Sequence, residues 1–196
     1  MCRFPFGNHA RVQAYANITL SGPPQADIVA HLKSRGVVAY VSNTLRGATV
    51  VFHEDLASQE PLAADLSATF SCPAIVVMVY AQRVLLYQLY LAGVVADSYV
   101  SEHVEELLGS HDAPPGDAET LCDAFAKSAA VRRVNTVLTK PAKDGQPYAY
   151  AANRHGDLFA ALGLPLFAVI ASFAAIEHGE LPAGQGFDAT ALAQTG

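Results

Sequence analysis

Charged residues are scarce in this chain, which limits what its surface can do. They make up only 15% of the 196 residues, against about 25% in a typical globular protein. Apolar residues reach 52%, so either the core is large or a partner covers apolar surface, and we favour a homo-oligomer. The net charge of −6 and the scattered lysines and arginines argue against a nucleic-acid partner and against an anionic membrane surface.

Cysteine is also sparse. Cys2, Cys72 and Cys122 are widely spaced and form no CxxC motif, which indicates free thiols in a reducing compartment. The first residues lack the apolar stretch of a secretory signal, so we expect a cytoplasmic protein. Cys2 would become an N-terminal nucleophile if the initiator methionine were removed, but we favour an ordinary leader before the first strand.

Common catalytic signatures are missing as well. The chain has no GxSxG, Walker A, GxGxxG or HExxH motif, each of which marks a particular chemistry. This absence favours a non-enzymatic protein, and no cofactor is predicted.

Strand and helix patterns alternate regularly over residues 12–100. Runs of β-branched and aromatic residues predict strands, and apolar residues spaced four apart predict two helices. In chain order these are strand 12–20, helix 25–35, strands 37–42 and 48–54, helix 61–71, and strands 74–80, 84–91 and 94–100. The β-α-β-β-α-β part is the order of ferredoxin-like sheets. We therefore expect an α+β fold, with an antiparallel sheet of five or six strands and both helices on one face.

Helix patterns replace strand patterns after residue 100. A helical layer over residues 101–181 would cover the free face of the sheet within one domain, and residues 182–196 are predicted to be a flexible tail. The predicted helices are 102–108, one capped by Asp117, one from about 131 to 141, 153–162 and 166–178. Residues 158–176 carry no charge, but Gly163 and Pro165 interrupt them, which favours a buried helix pair over a membrane span.

One acidic cluster could bind a metal ion. Glu102, Glu105 and Glu106 have the spacing of one helix face, with His103 and His111 nearby, and carboxylates with imidazoles can hold a divalent cation. A solvated acidic helix start explains the same residues.

Two further groups could bind a small molecule. His53 ends the third strand, where pocket residues are common. Tyr148, Tyr150, Arg154 and His155 could recognise an anionic ligand beside an apolar wall. An ordinary helix surface, with Arg154 paired to Asp157 three residues later, explains these residues too.

Two segments carry a resemblance to known sequences. Residues 72–90 (CPAIVVMVYAQRVLLYQLY) and 159–182 (FAALGLPLFAVIASFAAIEHGELP) resemble a family of bacterial proteins of unknown function, in which a similar strand meander precedes an LGLP-containing helical segment. The resemblance covers about half the chain and implies no activity, cofactor or catalytic residue.

Two functions therefore stay open. One is a non-enzymatic cytoplasmic protein that acts by protein–protein association or small-ligand binding. The other is a small hydrolase that uses His53 or His155 with a nearby carboxylate.

Overall fold

The computed structural model describes residues 14–101, 114–139, 148, 150–182 and 184–196. These residues form an α+β fold with a seven-stranded antiparallel sheet and six α-helices, which confirms the predicted class. The strands are β1 (Tyr15–Ser21), β2 (Ala39–Val41), β3 (Ala48–His53), β4 (Ala74–Tyr80), β5 (Val84–Leu91), β6 (Val94–Val100) and β7 (Ala193–Thr195). The helices are α1 (Gln25–Ser34), α2 (Gln59–Phe70), α3 (Ala118–Ala124), α4 (Val131–Thr139), α5 (Ala151–Leu162) and α6 (Phe173–Glu177). The predicted helix 102–108 lies outside the described residues.

The strand order in the sheet is β6-β5-β4-β1-β3-β2-β7. β1 lies at the centre and pairs antiparallel with β3 and β4. The three strands β4, β5 and β6 form the predicted meander.

The last strand was not predicted, because residues 182–196 were expected to form a flexible tail. β7 instead pairs with β2 along the edge of the sheet. The Thr195 hydroxyl accepts a hydrogen bond from the Ala39 N–H at 3.0 Å and donates one to the Val37 carbonyl at 2.7 Å. These bonds, and not apolar side chains, hold the strand, so its sequence carries no hydrophobic signal.

Both helices α1 and α2 pack against one face of the sheet. Ile28 and Leu32 of α1 and Leu66 of α2 are fully buried, because residues four apart share one helix face. They meet the apolar residues on that face of the strands, among them Ile18, Leu20, Val41, Val51 and Val76.

The C-terminal helices cover the opposite face. Apolar residues of α3 to α6 form one buried cluster with the strand residues that point towards them. Phe52, Tyr87, Phe159 and Phe167 are the largest members, and they make this face the main core of the protein.

The helix predicted over residues 166–178 is wrong. The chain there forms a short 3₁₀ turn at Leu166–Ala168, then a turn that includes Ile170 with its positive φ, and then α6, which Ser172 caps. The Asn17 side chain of β1 donates hydrogen bonds to the carbonyls of Ala168 and Ala171, at 2.8 and 3.2 Å. These tertiary bonds engage carbonyls that a continuous helix over residues 166–178 would use, and the second predicted helix is shortened to α6. Within the described ranges, no helix is long and apolar enough to span a membrane.

Candidate functional site

A buried histidine lies between the central strand and the helical layer. His155 of α5 has no exposed surface, and its Nδ1 is 3.0 Å from the Tyr15 hydroxyl of β1. Its ring packs edge-on against Phe159, with the ring centroids 4.2 Å apart. Burial lowers the pKa of His155 to about 3, so the ring is neutral at pH 7. Its Nε2 has no hydrogen-bond partner within the described part of the chain.

Polar side chains of β1 lie next to His155 and form a buried cluster with it. Burial raises the pKa of Tyr15 above its usual value, and the nearby backbone of Ile170 offsets part of this rise. Asn17, two residues along the strand, holds the carbonyls on either side of Ile170, and its own Oδ1 is unpartnered among the described residues. The cluster therefore fixes the turn that carries Ile170.

Arg154, next to His155, lies in a separate aromatic environment. Its side chain is 2% exposed, its NH1 donates a hydrogen bond to the Tyr99 hydroxyl, and its guanidinium lies 4.6 Å from the Tyr148 ring centre. The pairing of Arg154 with Asp157 stays a prediction; the Asp157 carboxylate accepts a hydrogen bond from the Tyr148 hydroxyl at 2.9 Å. Burial and this carboxylate together raise the pKa of Tyr148 to about 12.

The other predicted ligand residues lie elsewhere. Tyr150 is exposed at the start of α5. His53 ends β3 on the side of Val51, which packs with α1 and α2. Its Nδ1 contacts the Asp55 backbone, 2.9 Å from the carbonyl oxygen and 3.1 Å from the nitrogen. The structure thus brings Tyr148 to Arg154, but it separates His53 and Tyr150 from His155.

The predicted metal ligands Glu102, Glu105 and Glu106 lie outside the described residues, as does Cys2. Within the described part, no group of three or more metal-ligating side chains comes together. Cys72 and Cys122 are buried, free thiols, and burial raises the pKa of both, which suits core residues better than reactive ones.

Sequence analysis missed a histidine–aspartate pair between α1 and α2. His31 Nε2 lies 2.7 Å from Asp65 Oδ2, and Arg35 lies 3.4 Å from the other carboxylate oxygen. The Ser34 hydroxyl donates a hydrogen bond to the His31 backbone carbonyl at 2.7 Å and so does not engage the imidazole through this bond. The pair therefore links the two helices at the surface.

A groove was also missed. Its cavity of about 380 Å³ is lined by Leu45, Arg46, Gly163, Leu164, Pro165, Leu166, Gly184, Gln185 and Gly186. Three loops that are distant in sequence form it, so no local motif could have revealed it. The only sequence signals were the turn residues, which indicated loops and nothing more.

The Asn43 side chain joins two of the three loops that form the groove. Asn43 donates a hydrogen bond to the Gly186 carbonyl at 2.8 Å and accepts one from the Asp188 N–H at 3.0 Å. Gly186 has a φ of 85°, which favours glycine, and a Cβ there would lie 2.6 Å from a Leu45 methyl carbon. The loop after β2 and the loop near the C-terminus are thus fixed against each other.

These features supply different chemistry. The neutral buried His155 and the enclosed Arg154 organise the core, whereas the groove and the Ile170 turn are open to solvent.

Compared with protein-family models, with curated proteins and with solved structures, the chain has no significant match.

Proposed function

We propose that the protein acts by association, and that the turn carrying Ile170 forms the contact with a second copy of the chain. The observation that carries this proposal is an exposed isoleucine held in a strained backbone conformation. Ile170 has a φ of 70° and is 66% exposed.

A positive φ is costly for a β-branched residue. The left-handed region costs an L-residue about 1–2 kcal/mol, and glycine or asparagine would adopt it with less strain. The Ile170 side chain contributes little to the core, because most of it faces solvent. A strained residue whose side chain does not fill the core is expected where that side chain contacts another molecule.

Strand pairing is a less suitable way for two copies to associate. β7, at one edge of the sheet, is only three residues long. β6, at the other edge, has a bulge opposite Leu89 and Tyr90, and it carries Asp97. Short edge strands, bulges and charges all discourage pairing with another chain, which favours contact through side chains.

A second copy suits the surface as the partner. A two-fold contact needs only one patch, which meets itself. Copies that each carry a net charge of −6 repel one another, so an uncharged apolar contact is where they can meet. The low charged fraction of the chain, 15%, points the same way.

The hydrolase alternative has weaker support. His155 is enclosed and neutral at pH 7, and His53 contacts the Asp55 backbone instead of a carboxylate.

Our proposal also includes a cytoplasmic location and a ferredoxin-like arrangement of β4, β1, β3 and β2, which is supported by their order in the sheet.

Ile170→Gly should separate association from stability. We expect wild-type protein to sediment as a dimer and Ile170→Gly as a monomer. The free energy of unfolding should stay the same or rise by up to about 1 kcal/mol, because glycine relieves the strain. Sedimentation velocity and urea unfolding measure the two effects.

Ala126→Gly is the matched control, because Ala126 also has a positive φ, of 53°, and is exposed. This variant should keep the dimer. The proposal fails if wild-type protein is monomeric at its highest soluble concentration, or if Ile170→Gly and Ile170→Asn both remain dimeric.

A further inference from the structure

We propose that the groove between Arg46 and Leu166 binds a small carboxylate that carries a short apolar chain. The groove does not include Ile170, so this proposal is independent of self-association. Its cavity of about 380 Å³ lies at the small end of the range of about 300–1,000 Å³ found for small-molecule pockets.

Positive charge gathers at this groove. Arg46 lines it, and among the described residues no hydrogen bond or ion pair engages the Arg46 side chain. Lys127 lies at the Gly163 end, with its Nζ 3.4 Å from the position that a Cβ of Gly163 would occupy. None of the nine lining residues is acidic, although the whole chain is acidic. An anion therefore complements this site.

A carboxylate fits the guanidinium especially well. Arginine presents its N–H groups as a planar fork that can bind both oxygens of a carboxylate at once. The Lys127 ammonium does not itself line the groove, but it adds a second positive charge next to Gly163.

The remaining lining favours an apolar chain over a ring. Leu45, Leu164 and Leu166 contribute methyl groups, and no aromatic side chain is present on which a base could stack. The small volume limits the length of the chain. These features together favour a short aliphatic carboxylate over a nucleotide.

The groove is preformed, which favours binding. Asn43 fixes the loop at Gly186, and Gly184 lies beside Phe167, where a Cβ would be in contact with it at 3.4 Å. A site that needs little ordering loses less free energy on binding.

Isothermal titration calorimetry with octanoate below its micellar concentration tests the proposal. We expect one octanoate to bind per chain, and octanol and inorganic phosphate to bind at least about tenfold more weakly, because each lacks one half of the recognition. Arg46→Asn should weaken octanoate binding about tenfold, since asparagine tolerates the positive φ of 53° at this position. Leu166→Ser should weaken it as well.

Arg132→Asn is the control, because Arg132 lines the separate depression between α3 and α4, and it should bind octanoate like wild type. Thermal unfolding of each variant establishes that the protein is folded. The proposal is overturned if octanoate does not bind, if Arg46→Asn binds it unchanged, or if octanol or phosphate binds equally well. The same titration on Ile170→Gly keeps this result separate from self-association.

Discussion

Lowering the pH from 7 to 5 should reduce the free energy of unfolding by about 2 kcal/mol through His155 alone. The folded state holds the pKa of this residue at about 3 because the ring is buried, whereas an unfolded histidine has a pKa of about 6.5. The unfolded chain therefore takes up a proton that the folded chain excludes. The contribution of His155 to stability is complete above pH 6.5 and falls as the pH drops from about 6.5 to 3.

Urea unfolding at pH 7, 6 and 5 measures this effect. His155→Gln keeps a polar group near Tyr15 but cannot titrate, so its loss of stability over this range should be smaller than that of wild type by about 2 kcal/mol. His178→Gln is the control, because it removes an exposed histidine and leaves His155 in place. If wild type and His155→Gln lose the same free energy of unfolding between pH 7 and 5, burial does not keep His155 unprotonated in the folded state.

The strands that the sequence predicted correctly are those with strong local patterns. β4, β5 and β6 have the predicted bounds, because runs rich in β-branched, aliphatic and aromatic residues are separated by short turns, which leaves few other structures. α2 begins at Gln59, two residues before the prediction, since the 3₁₀ turn capped by Asp55 leads directly into it.

The elements that the sequence did not predict depend on distant contacts. β7 is held by bonds between Thr195 and the backbone of residues 37 and 39. The break before α6 depends on Asn17 of β1, about 150 residues earlier in the chain. Neither contact leaves a periodic pattern in its own segment, so pattern analysis favoured a tail and a helix.

The burial of Arg154 and His155 was not predicted, because one available signal was overlooked. The buried residues of α5 include Ala151, Leu158, Phe159 and Leu162, and residues at this spacing share one helix face. Arg154 and His155 occupy positions on the same face, so their burial could have been predicted from the helix pattern. Their partners Tyr15 and Tyr99 come from distant strands and could not.

Replacing Arg154 with alanine should have the largest effect on stability, a loss of about 3 kcal/mol. The change removes the hydrogen bond to the Tyr99 hydroxyl and the contact with the Tyr148 ring, and it leaves a cavity beneath α5. For a chain of this length, the melting temperature should fall by about 6–12 °C. Arg154→Lys keeps the positive charge but loses the planar guanidinium, so its melting temperature should lie between those of wild type and Arg154→Ala. Arg132→Ala, at an exposed site on α4, should change stability by less than about 0.5 kcal/mol. If Arg154→Ala melts within 2 °C of wild type, roughly what 0.5 to 1 kcal/mol produces, then Arg154 does not hold α5 against the sheet.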